Sequence, residues 1–108
     1  AGLVNLDISQ YRYFVCTLGA AGIEFLFING TRESSVPTID LLNTVFIFIQ
    51  QGASIYSVTW PTNIKWHNGA IPALTNVSLA YDVYSFTSFN VGNPDEFWVG
   101  QKIVNGAN

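Results

Sequence analysis

Apolar and polar residues alternate at every second position in short runs, and Gly, Asn and Pro punctuate those runs. This is the pattern of β-strands with one face toward a core. Residues 3–8 predict a first strand, with Val4, Leu6 and Ile8 opposite Leu3, Asn5 and Asp7. Residues 11–18 predict a second, with Tyr11, Tyr13 and Val15 opposite Arg12, Phe14 and Cys16. A Gly19-Ala20-Ala21-Gly22 turn leads to residues 23–28, where Ile23, Phe25 and Phe27 share a face and Asn29-Gly30 supplies a hairpin signal. Both faces of these strands carry large apolar groups, which fits a sandwich whose outer face is covered as well. Residues 31–43 are polar and proline-broken. They read as a loop with a strand around 38–41, and Asp40-Leu41-Leu42 could form one helical turn. Residues 44–50, T-V-F-I-F-I-Q, lack alternation and predict the best-buried strand.

The stretch from Ile55 to Thr75 organises the rest. Tyr56, Val58 and Trp60 alternate with Ser57 and Thr59, and Pro61 then removes a backbone donor and ends ladder pairing. Ile64, Lys65 and Trp66 start a second short run, Asn68-Gly69 supplies positive φ for a tight turn, and Pro72 stiffens the exit. A short run at 77–79 follows. Residues 82–89 and 97–104 predict the last two strands, with the loop V-G-N-P-D at 91–95 between them. About eight short strands without a long helix imply an all-β fold, an antiparallel β-sandwich or jelly roll in a single domain over residues 1–108.

Within this stretch, T-W-P-T-N-I-K-W-H-N-G-A-I-P-A-L-T followed by Y-D-V-Y-S-F resembles a signature of tailed-bacteriophage virion proteins. The shared elements are W-P, K-W, G-x-x-P, L-T and D-V-x-S-F, here Trp60, Pro61, Trp66, Gly69, Pro72, Asp82 and Phe86 among others, over about a third of the chain. His67, Asn68 and Gly69 stand where such terminal domains of tail-fibre and minor structural proteins usually have Pro-Gly-Gly, so the turn survives with a different tip. The resemblance implies an exposed part of a virion and no enzyme.

Composition sharpens the picture. Only 10% of the 108 residues are charged, whereas 49% are hydrophobic and 15% aromatic; soluble domains average roughly 25% charged. Eleven charged side chains are few for the roughly 6,000 Å² that a monomer of this size exposes. Burial of part of the surface against sister subunits is therefore expected, with a surface of Asn, Ser, Thr and Gln as the alternative. No apolar run has the length of a membrane span, and the start lacks a signal-peptide pattern. A net charge of −3 with four cations argues against nucleic-acid binding. The chain has no methionine and starts Ala1-Gly2, so it is expected to be a mature product, a fragment of a longer fibre being the alternative.

Little chemistry is legible. His67 is the single histidine and sits on a turn; Cys16 has no cation near it in sequence; Asp95-Glu96 point to opposite faces of an extended segment. Neither a catalytic group nor a metal or cofactor site is expected. Asn29-Gly30-Thr31 and Asn76-Val77-Ser78 match the glycosylation pattern but read as turns. Trp60, Trp66 and Trp98 fit core or subunit contacts better than a carbohydrate platform. The expectation is a homotrimeric capsid decoration (cement) protein on the virion surface, made in the host cytoplasm and bound to the major capsid protein; the alternative is a receptor-binding tail-fibre tip. For the tip, the candidate binding residues toward a host glycan or receptor are His67 and Asn68 in one loop and Asn93, Asp95 and Glu96 in another. Residues 31–37, with Arg32 and Glu33, give a third loop.

Overall fold

The computed structural model describes residues 2–30 and 43–107, together with the backbone of residues 34–36 and 39–40. Its strands are β1 (Gly2–Asp7), β2 (Tyr13–Thr17), β3 (Ile23–Ile28), β4 (Ser34–Val36), β5 (Ile39–Asp40), β6 (Asn43–Gln50), β7 (Val58–Thr59), β8 (Ile64–Trp66), β9 (Tyr81–Ser88) and β10 (Trp98–Ala107). The chain is all-β. A three-stranded sheet runs β1-β3-β7, a five-stranded sheet runs β2-β6-β9-β10-β8, and β4-β5 form a small pair. Arg32, Glu33, Pro37, Thr38, Leu41 and Leu42 lie outside the described residues, and with them most of the third loop and the helical-turn alternative.

The pairing departs from the antiparallel expectation. β1, β3 and β7 are mutually parallel, as are β2 with β6 and β8 with β10. Antiparallel pairing joins β6 to β9, β9 to β10 and β4 to β5. The reason lies in what the turns do. The turn at Gly19–Gly22 and the corner at Pro61 do not fold a strand back on its neighbour; each carries the chain across to the other sheet. β1, β3 and β7 thus alternate along the sequence with β2, β6 and β8, and each return to a sheet lays a strand parallel to its predecessor. The β9–β10 hairpin is inserted between β6 and β8. Tyr56 to Trp66 is accordingly no hairpin, since β7 and β8 belong to different sheets. Asn29 does adopt positive φ (59°), but as the exit from β3.

The sheets share one core. Leu6, Ile8 and Phe25 meet Val45, Ile47, Ile49, Tyr84, Phe86 and Trp98, all buried. Phe27 bridges the sheets, with ring centroids 5.3 Å from Phe86 and 4.7 Å from Trp98. Full burial of each such side chain contributes roughly 1.5–3 kcal/mol. β6 alternates where its sequence does not: Val45, Ile47 and Ile49 face inward, while Phe46 and Phe48 stand on the outer face. The expectation of a strand buried throughout fails there.

Candidate binding loops and an uncharged sheet face

The spaced signature closes into one packing unit. Trp60 packs on Trp66, Tyr84 and Phe86, with centroids 4.7–5.6 Å apart, and stacks on Phe25 at 5.3 Å. Pro61 is buried behind it. Trp66 is half-buried and meets Tyr84 and Phe86 edge-on, while its backbone pairs with Gly100 of β10. Gly100 is a glycine because a Cβ there would come within 2.9 Å of both Ile64 and Phe86. Asn68 (φ 59°) and Gly69 (φ 71°) form the expected positive-φ turn, within a 3₁₀ turn at His67–Gly69. The chain then returns so that the Tyr84 hydroxyl donates to the Pro72 carbonyl at 3.0 Å. The tryptophans are thus core groups, and Trp60 and Trp98 have no free face for a sugar.

Asp82 pins this unit. Its carboxylate is 1% exposed and accepts bonds from the Thr75 amide (2.6 Å), the Thr75 hydroxyl (2.7 Å) and the Gly106 amide (2.8 Å), with Lys102 Nζ at 3.3 Å. Lys102 also donates to the Ala73 carbonyl at 2.7 Å. Burial pushes the Asp82 pKa up, but the bonds from Thr75 and Gly106 and the Lys102 charge together outweigh it and hold the carboxyl below its ordinary value. Burial, and secondarily the Asp82 charge, raise the Tyr84 phenol. At neutral pH Asp82 is therefore a carboxylate and Tyr84 a phenol.

The two loops lie at opposite ends of β8. Because β8 and β10 are parallel, with Trp98 opposite Ile64 and Gly100 opposite Trp66, residues 91–97 enter at the start of β8 while residues 67–72 leave from its end. His67 and Asn68 are exposed. In the second loop the groups divide. Glu96 accepts from the Gly92 amide and from Trp98 Nε1, each at 2.8 Å, so its carboxylate braces the loop and is not presented to a ligand. Asn90, which the sequence did not single out, clamps the loop by accepting from the Phe97 amide (3.1 Å) and donating to the Asp95 carbonyl (3.1 Å). Asp95 is exposed, and Asn93 is half-buried with its backbone in the turn. Beside them Phe89 is exposed, meets Phe97 edge-on, and has Lys65 Nζ 4.3 Å from the centroid of the Phe97 ring.

A larger feature is the outer face of the five-stranded sheet. Tyr13, Val15, Phe46, Phe48, Val83 and Val104 lie on it around two shallow depressions of about 450 and 310 Å³. None was read as a site residue. The signal was present in the sequence, in the strands at 11–18 and 44–50 that are apolar on both faces. Cys16 points to the other side of β2, toward the core, and burial raises its thiol pKa, which disfavours a nucleophilic thiolate. Among the described residues, no group of three or more His, Cys, Asp or Glu is placed to hold a metal ion, and no helix is long and apolar enough to cross a membrane. No protein-family model, curated protein or solved structure matches the chain.

Proposed function

We propose that this chain is a non-enzymatic structural protein exposed on a tailed-phage virion: a small β-sandwich that acts as a homotrimeric capsid decoration protein and stabilises the head by binding the major capsid protein. The observation that carries the structural role is the broad, uncharged apolar face, on a domain several of whose reactive side chains are engaged in the scaffold. Asp82, Glu96 and Tyr84 are tied into the scaffold, and Cys16 faces the core. The virion assignment is supported by the resemblance of residues 59–86, whose signature residues form one packing unit. Quantifying the protein in purified particles tests the reading. Hundreds of copies per particle are expected, and loss of the protein lowers the temperature at which heads release DNA. A count of tens or fewer overturns the decoration role.

One cluster favours the second reading, a receptor-binding fibre tip. Exposed Phe89 stands by a braced loop bearing exposed Asp95, and exposed aromatics beside carboxylates suit sugar rings. For a fibre tip, His67→Ala with Asn93→Ala abolishes host adsorption without loss of folding. For a decoration protein, adsorption stays normal.

A further inference from the structure

The apolar outer face is built in register. Val15, Phe48, Val83 and Val104 form one row straight across β2, β6, β9 and β10. Tyr13, Phe46, Ser85 and Gln101 form the row on one side, and Thr17, Gln50, Tyr81 and Ala107 the row on the other. A β-bulge in β10, between Lys102 and Val104, adds to it. The extra residue lets Lys102 reach inward to Asp82 while Ile103 and Val104 both border the outer depression.

None of these row residues is charged. Hydroxyls and amides flank an apolar middle, the anatomy of a protein interface core with its rim. Tyr13, Val15, Phe48, Tyr81 and Val104 of these rows are 37–75% exposed, so the face offers on the order of several hundred Å² for an interface to bury. The relief holds both projections and hollows. Tyr13 (72% exposed) and Val15 (75%) project at the β2 side, next to depressions flanking Phe48, Val83 and Val104. A surface carrying both projections and hollows can meet a copy of itself, and burying it strips water from no ion.

We propose that sister copies of this chain cover this face, with Tyr13 and Val15 of one copy seated against the hollow beside Val83 and Val104 of the next. In its stoichiometry the inference rests on the trimer proposed above, in which each face turns toward the three-fold axis. Sedimentation velocity at high micromolar concentration tests it on wild type, Val15→Lys, Val104→Lys and, as a control, Ile71→Lys. Ile71 is 62% exposed, on the segment that Tyr84 and Lys102 hold to the other side of β9. Circular dichroism checks that each variant is folded; Val15 is exposed enough for a lysine to fit the isolated copy.

The expected result is a wild-type trimer, retained by Ile71→Lys, with dissociation raised at least about tenfold in Val15→Lys and in any folded Val104→Lys. A wild-type dimer that Val15→Lys splits supports this face as the contact while overturning the trimer. A monomeric wild type, a Val15→Lys protein of unchanged mass, or an Ile71→Lys protein that dissociates equally overturns the inference. None of these results bears on the location of the protein in a virion.

Discussion

Replacing Asp82 by alanine should unfold the chain at a markedly lower temperature, because three donors and an ammonium converge on a carboxylate that is 1% exposed. Removing one partner of a buried ion pair costs roughly 3–5 kcal/mol. Lys102 keeps its bond to the Ala73 carbonyl, which favours the lower end, about 3 kcal/mol. At about 4–8 °C per kcal/mol for a domain of this size, Tm falls by about 12–25 °C. Asp82→Asn gives little rescue. Its amide would present donors where Thr75 and Gly106 already donate. The pH dependence has a definite sign. A carboxylate held below its ordinary pKa stabilises the fold above the unfolded-state value, and that stability disappears as pH falls through the lower folded value. The wild type therefore loses stability below about pH 4, and Asp82→Asn lacks this part of the acid limb. Calorimetry from pH 2 to 7 reads both effects. A Tm within about 4 °C of wild type at pH 7, or parallel acid limbs, would refute the assignment of Asp82 as the pin.

Two further substitutions probe the packing. Trp66→Ala removes three edge-on aromatic contacts from a half-buried ring, so chemical denaturation should show a loss of about 2–3 kcal/mol, below the range for a fully buried tryptophan; an unchanged midpoint would make the ring a surface group. Gly52→Ala would set a Cβ 2.3 Å from the Leu18 carbonyl oxygen, a backbone atom that cannot swing aside, so a loss of roughly 1–3 kcal/mol is expected by the same assay.

Strand positions and core faces were legible because period-two alternation reports them directly. Val4, Leu6 and Ile8 lie inward as expected, as do Phe25 and Phe27. Sheet membership was not legible. A Gly- or Pro-bearing turn shows that the chain bends, but not whether the next strand pairs with the last one or crosses to the opposite sheet. At Pro61 two-residue β7 ends in one sheet and β8 begins in the other. Parallel pairs such as β2 with β6 join strands far apart in sequence, so no local pattern reports them.

The apolar outer face was partly hidden for a related reason. In residues 44–50 the aromatic rings of Phe46 and Phe48 are as apolar as Val45, Ile47 and Ile49, and periodicity has no contrast to work with. Only the register, which sets Phe46 opposite Ser85 and Phe48 opposite Val83, shows that the two rings form a face of their own. The polar loop residues drew attention first because they carry recognisable chemistry, yet Glu96 spends its carboxylate on Gly92 and Trp98. A carboxylate in a loop signals binding only if it is not already part of the loop's own bracing, and here it is. An apolar residue on an outer face has the opposite logic. Val15 meets no need of the isolated fold while 75% exposed, which is why the proposed contact between copies is best tested at that residue.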